Sequence, residues 1–270
     1  MQLTNRKIAV ISLSGGMDST CLMIHLLAKG YEVHGVSFNY GQKHLIELQR
    51  LEKNIEYLRT QGFYLKSYHC IDISTVGKLF ESSLIQGNSV DIPEGHYEEE
   101  NMKSTVVPNR NKIFSSIIQA YALSIALREN NPVQIALGVH SGDHAIYPDC
   151  TLDFYEAEQL AFKKGNWKSE LVNFYLPYIH SNKTNILAEA YTNCQITNID
   201  FYTVLKNTNT SYNPDEYGRS SGTSGSDIER IEAFFQLGLQ DPVEYVLPWE
   251  QVLANALNIL NQRKQNGTHN

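Results

Sequence analysis

Two rhythms of apolar and polar residues run along the chain. Residues 7–13, KIAVISL, form a short apolar run, followed by SGGMDST and a segment of helical apolar spacing through Leu27 that ends at Gly30. This order predicts a buried strand, a glycine turn, a helix and a glycine cap. Residues 31–38 (YEVHGVSF), 63–73 and 132–139 predict further strands, and 173–179 a short one. Helical spacing fills the intervals at 43–60 (Leu45, Leu48, Leu51, Ile55, Leu58), 111–128, 152–164 and 183–192. Strands alternating with helices predict βαβ units, hence an α/β fold with a doubly wound, mostly parallel sheet. The polar stretch 86–104, with EEE at 98–100, reads as a loop or lid. The rhythm changes after about residue 205. Helices near 226–237 and 249–263 predict a small helical C-terminal subdomain, dividing the chain into 1–205 and 206–270, with a frayed tail from about 262. Before the first of those helices lies GRSSGTSGSDIER (218–230), which has the composition of a flexible linker.

Charge and cysteine usage narrow the function classes. A net charge of −7 with no basic run argues against a nucleic acid as the main partner, because phosphate binding needs a basic surface. A small anion held by a few local groups remains compatible. No stretch approaches the roughly 20 apolar residues of a membrane span. The polar start, Met1 to Lys7, lacks a signal-peptide cleavage site, so we expect a cytoplasmic protein. The four cysteines, Cys21, Cys70, Cys150 and Cys194, lie far apart without a C-x-x-C pair. That spacing predicts neither a disulfide framework nor a zinc site, and small buried apolar roles fit best, with Cys150 a partial exception that either packs or reacts.

The chemistry concentrates at S-G-G-M-D-S (14–19), where the first strand gives way to the first helix. Backbone N–H groups of a tight glycine turn and a helix N-terminus make an anion site. Gly15 and Gly16 let the backbone approach phosphate, Ser14 and Ser19 add hydroxyls, and Asp18 either holds Mg²⁺ or caps the helix. The pattern lacks the lysine of a P-loop and is not G-x-G-x-x-G. It resembles the PP-loop ATP pyrophosphatases, a resemblance that implies ATP and Mg²⁺, with AMP and pyrophosphate as products.

Three further stretches follow predicted elements at the carboxyl edge of the sheet, where open α/β sheets bind ligands. They are F-N-Y-G-Q-K-H (38–44), S-T-V-V-P-N-R-N-K-I-F (104–114) and G-V-H-S-G-D-H-A-I-Y-P-D-C (138–150). Together with SGGMDS they resemble the 7-cyano-7-deazaguanine synthase family, QueC, whose pattern runs L-S-G-G-x-D-S, Y-G-Q-x-H, V-P-x-R-N, Y-P-D-C. The similarity extends from Ile8 to about Tyr245. It implies an ATP-dependent ligase that adenylates 7-carboxy-7-deazaguanine and hands it to a nitrogen nucleophile, which is ammonia in the family. In this reading Ser14, Gly15, Gly16, Asp18 and Ser19 hold pyrophosphate and Mg²⁺. Arg110 and Lys183 neutralise charge growing at the α-phosphate. Tyr40, Gln42, Asp143, Tyr147 and Asp149 line the base pocket. His140 and His144 stand four apart, but after a strand they fall in a loop, where that spacing does not make a metal pair.

The sequence departs from the family in two places. Thr151 stands where the family has arginine after Y-P-D-C. The family's C-terminal pattern, C-Y then C-G-x-C-x-x-C-x-x-R, aligns on Gly222 and Arg230 and puts Ser211, Ser221, Ser224 and Asp227 at the four cysteine positions. Serine hydroxyls hold zinc poorly, so we expect no zinc site. Without it the lobe should loosen unless Arg230, Ile231, Phe234 and Phe235 supply packing. Residues 218–230 thus read as a degenerate zinc knuckle, not an interdomain linker. The retained motifs serve adenylation, while the acceptor stays open. It is ammonia or, as in relatives from bacterial antiviral gene clusters, a protein amine. A tRNA-modifying ligase fits poorly with the acidic charge, and a catalytically degenerate partner subunit poorly with intact Asp18, Arg110 and Asp149. Homodimers are common among such enzymes, and no interface is legible here.

Overall fold

The computed structural model describes residues 6–87, 100–140 and 147–267. Five strands are formed by β1 (Ile8–Ser12), β2 (Glu32–Asn39), β3 (Ser67–Asp72), β4 (Val133–Ala136) and β5 (Val172–Tyr175). All pair in parallel in the order β3-β2-β1-β4-β5. The crossovers carry α1 (Met17–Ala28), α2 (Ile46–Thr60), α4 (Arg110–Glu129) and α5 (Leu152–Gly165), with a short turn of helix, α3 (Ser74–Gly77), after β3. Then come α6 (Lys183–Thr197), α7 (Phe201–Lys206), α8 (Gly225–Gln236) and α9 (Trp249–Gly267).

Parallel strands covered on both faces must be apolar on both, and β1 is buried at Ile8 through Ile11. Its pleat divides these between two cores. Ala9 and Ile11 join Leu22, Leu26, Leu51 and Leu187 from α1, α2 and α6. Ile8 and Val10 join Ile118, Ala122 and Ile125 of α4 and Tyr155 and Phe162 of α5. Helices therefore cover both faces, as a doubly wound sheet requires. The chain leaves β1 toward β2 on one side and reaches β4 on the other. The carboxyl ends of β1 and β4 thus form the switch-point crevice where such sheets bind ligands.

Boundaries shift in physically sensible ways. The segment expected as a strand over 63–73 pairs only at Ser67–Asp72, an edge strand that is half exposed. Helix α2 begins at Ile46, after Gln42 bridges Ile85 and residues 43–45 form a turn. Helix α7 has six residues, too few to show a periodic pattern. Helix α9 continues to Gly267 instead of fraying from 262, since no glycine or proline interrupts it earlier. Residues 88–99 of the expected lid lie outside the described residues.

Residues 218–230 form part of the fold. Ser220 pairs with Tyr245, and Ser224 N-caps α8, accepting a hydrogen bond from Asp227 N. Helix α8 then puts Ala233 and Phe234 into the core shared by α1 and α6. Of the four residues expected to pack this lobe, Arg230, Ile231 and Phe234 are buried, but Phe235 is 47% exposed. The face of α8 that carries Ile231 and Phe234 turns inward, and Phe235, one residue on, turns away.

Candidate active site

The turn after β1 is shaped by its glycines. Gly15 has φ +88°, and a Cβ there would lie 2.1 Å from the Glu47 carbonyl oxygen, so a side chain fits neither the angle nor the space. Gly16 N-caps α1 without any side chain covering the first turn. The leading N–H groups of a twelve-residue helix therefore lack a side-chain cap. Ser14 and Ser19 knit the turn together, with hydroxyls 3.1 Å apart. Ser14 Oγ accepts from Gly16 N at 3.2 Å, and Ser19 Oγ donates to the Gly16 carbonyl at 3.3 Å.

Over this turn opens a cleft of about 250 Å³, lined by Ser14, Gly16, Asp18, Tyr40, Arg110 and Lys183, among others. A second cavity of about 210 Å³ adjoins it and reaches Leu137, Gly138 and Val139 after β4, and Cys150. The two share Ser14, Gly16, Asp18, Arg110, Asn111 and Phe114 as a common wall.

Asp18 sits in that wall, with Oδ2 3.7 Å from His140 Nε2. Burial raises its carboxyl, but the ammonium of Lys183 and then His140 outweigh burial and bring its pKa down to about 2. It is ionised at neutral pH, and its Oδ1 is buried without a hydrogen-bond partner. An orphaned hard oxygen beside a phosphate-type turn suits Mg²⁺, which is usually held by one or two carboxylates plus phosphate oxygens and water. Among the described residues no cluster of three or more His, Cys, Asp or Glu side chains forms a larger cage.

Two cations reach the cleft. Arg110 opens α4 after Asn109, a left-handed residue at φ 57°, which re-aims the chain into the helix. Its guanidinium lies 5.6 Å from the Tyr40 ring centroid and 6.0 Å from that of Phe114, and donates to the Tyr40 hydroxyl at 3.4 Å. Burial works against its charge, and the hydroxyls of Tyr40, Tyr147 and Tyr212 more than offset burial. Lys183 is buried at the first residue of α6, after the N-cap Asn182, and donates to Glu229 Oε2 of α8 at 2.7 Å.

The remaining sequence-predicted residues take different places. Tyr40 lines the cleft. Gln42 is fully buried beneath it and lines neither cavity. Its side chain donates to the Phe38 carbonyl and Glu47 and accepts from Tyr40 N, so it braces the loop that carries Tyr40. Tyr147 is buried, with its hydroxyl 2.9 Å from Thr105 Oγ1. Asp149 lies in the turn Pro148–Cys150. Both stand beside the second cavity at Cys150, and neither lines it. Asp143 and His144 lie outside the described residues. Thr151 N-caps α5, accepting from Phe154 N and donating to the Pro148 carbonyl. The position that departs from the family pattern thus has a local structural role.

The cleft also contains groups that sequence reasoning did not assign. Burial lifts Glu47 to about 8 and drops His44 to about 3, the latter helped by Arg110. Both are neutral near pH 7, so their 3.7 Å approach is a polar contact and not an ion pair. Asn209, Thr210, Tyr212 and Ser226 come from the C-terminal lobe. His44 and Phe114 lie inside the quoted motifs and were findable there. Glu47 and the C-terminal residues carry no local signal.

A family model described as queuosine biosynthesis protein QueC matches residues 8–238. The chain is 40% identical over 237 residues to a 7-cyano-7-deazaguanine synthase of Marinomonas sp. (strain MWYL1), covering 88% of this chain and 97% of that protein. It is 37% identical over 245 residues to the 7-cyano-7-deazaguanine synthase of Caldicellulosiruptor saccharolyticus, covering 90% and 98%. A crystal structure of a 4-thiouridine synthetase–RNA complex with bound ATP is similar at a TM-score of 0.41 and 15% identity, over 95% of this chain and 53% of that one. Motifs, spacing and full-length similarity agree, and the chain belongs to the QueC family of queuosine biosynthesis proteins.

Proposed function

We propose that this protein uses ATP to adenylate the carboxylate of 7-carboxy-7-deazaguanine and passes the acyl group to ammonia. A carboxylate oxygen attacks the α-phosphorus and pyrophosphate leaves. Ammonia then displaces AMP and loses a proton, giving the amide. A second ATP activates the amide oxygen, with pyrophosphate and one nitrogen proton leaving, and loss of AMP and the second nitrogen proton leaves the nitrile. The observation that carries this reading is the wall common to the two cavities. Adenylation needs two ligands to meet at one phosphate, and that wall holds Asp18, Arg110 and the glycine turn. The naming of full-length relatives supports the substrate.

In this reading the uncapped N-terminus of α1 receives the leaving pyrophosphate, with Ser14, Gly15, Gly16 and Ser19 shaping the cradle. Asp18 would hold Mg²⁺, which supplies charge neutralisation at the phosphates. Arg110 and Lys183 stabilise the charge that grows as pyrophosphate departs. Tyr40 contacts the base from the cleft with Gln42 bracing it, Asp143 completes recognition from the segment after β4, and Tyr147, packed on Cys150, backs the wall of the second cavity together with Asp149 without touching the base.

The test is to incubate purified protein with Mg-ATP and 7-carboxy-7-deazaguanine, with and without ammonia, and follow AMP and the bases by mass spectrometry. We expect AMP only when the carboxylate is present, and nitrile when ammonia is added. Absence of AMP contradicts the reading. AMP without free amide or nitrile, together with an acyl mass gain on an added protein, would move the acceptor to a protein amine. Asp18→Ala should cut AMP formation by at least about 100-fold.

A further inference from the structure

Ser221, Ser224 and Ser211, which lies ten residues upstream of Ser221, converge on one atom of Asp227. Asp227 is fully buried, and its Oδ2 accepts from the hydroxyls of Ser211 (2.9 Å), Ser221 (3.0 Å) and Ser224 (2.8 Å), and from Gly222 N (3.2 Å). Each hydroxyl oxygen also accepts a backbone N–H. Ser211 accepts from Ser221 N, Ser221 from Thr223 N and Ser224 from Asp227 N, at 3.3–3.4 Å.

The family resemblance implies a zinc ion at these four positions, and the residues present do not fit one. Structural zinc needs four donor atoms, preferably thiolate or imidazole, in a tetrahedron. Here the hydroxyl protons point at the carboxylate, and the hydroxyl oxygens are engaged by N–H groups. Asp227 Oδ1 alone is buried without a hydrogen-bond partner, which offers a single donor. We infer that Asp227 is a metal-free clamp: its carboxylate, gripped by three serines, fastens the start of α8 to the 209–212 segment as a metal would, using oxygen and hydrogen bonds alone.

The clamp borders the cleft. Ser226, beside the hub, donates to the Thr210 carbonyl at 2.7 Å, and Asn209 N donates to the Gly15 carbonyl at 3.0 Å. One turn further along α8, Arg230 is 1% exposed and ties the same segment down. It donates to Thr208 and Thr210, to the Leu205 carbonyl, and through two nitrogens to Asp241 at 2.6 and 2.9 Å. A buried charge with every donor engaged is the condition under which such a network holds a unique geometry.

The test reads metal content and stability and does not depend on turnover. Protein dialysed against chelator should hold no stoichiometric zinc and should keep its Tm. One zinc per chain, with a Tm that falls on chelation, would overturn the inference. Asp227→Asn keeps an acceptor oxygen but loses the charge, and Asp227→Ala loses both. Tm should fall in that order, by about 5 °C or more for alanine, and an alanine variant melting with the native protein would overturn the clamp. The variant S211C/S221C/S224C/D227C should bind one Co²⁺ with the visible spectrum of a tetrahedral thiolate site, whereas a folded variant that takes up no metal would show that the four positions do not converge.

Discussion

Gly15 and Glu47 show how a single residue fixes the turn. The Glu47 carbonyl occupies the space a Cβ at position 15 would need, and φ there is positive. Gly15→Ala therefore combines strain with a clash and should lower unfolding free energy by at least about 2 kcal/mol, read from a urea midpoint. The Glu47 side chain makes a separate prediction. Its carboxyl is lifted from 4.5 to about 8 by burial. Between those values the folded state holds a proton that the unfolded chain has lost, so this group's contribution to stability falls as pH rises. Glu47→Gln, neutral at every pH, should flatten that part of a Tm-against-pH curve, and an unchanged slope would refute the assignment. Asp18 has the opposite sign. Its stabilisation is present above 3.8 and is lost as pH falls through about 2. Residues in the ordered motifs were legible because their chemistry is written locally. Glu47, Tyr212 and Ser226 were not, because they reach the cleft only through the packing of α2 and the C-terminal lobe against the glycine turn.

At the scale of elements, the alternation of strands and helices was legible because parallel strands buried on both faces must be apolar throughout. What pattern alone did not supply was the reach of α8. An amphipathic helix declares that it has a buried face without saying what buries it, and here that partner is the core of α1 and α6. Phe234 and its neighbour give a paired test. Phe234 is fully buried and Phe235 is half exposed. Phe234→Ala should cost about 3–5 kcal/mol by cavity formation, whereas Phe235→Ala should stay within about 0.5 kcal/mol. Equal effects in urea unfolding would mean that α8 is not seated as described. The serine-rich approach to α8 looked like a linker because small polar residues are common to linkers and to tightly hydrogen-bonded knots. Burial separates the two, and single-residue composition does not report it.

For the whole molecule, topology and charge act together. The sheet places its switch point between β1 and β4, and the adjoining cavities open there. The chain is acidic overall, with a net charge of −7, yet a partly buried Arg110 and a buried Lys183 line the cleft beside the uncapped end of α1. An anion is thus favoured in the cleft and disfavoured over the surface at large. Among the described residues, no helix is long and apolar enough to cross a membrane. These features fit a protein that joins two small anions at one phosphate. The most direct test is to supply 7-carboxy-7-deazaguanine with ¹⁸O in its carboxylate, together with Mg-ATP and ammonia, and weigh the AMP. Adenylation bonds a labelled carboxylate oxygen to the α-phosphorus, and ammonia then breaks the bond between that oxygen and the acyl carbon, so the AMP released should carry one ¹⁸O. AMP formed without the label would mean that water, and not the carboxylate, attacks the α-phosphorus, and would contradict the account.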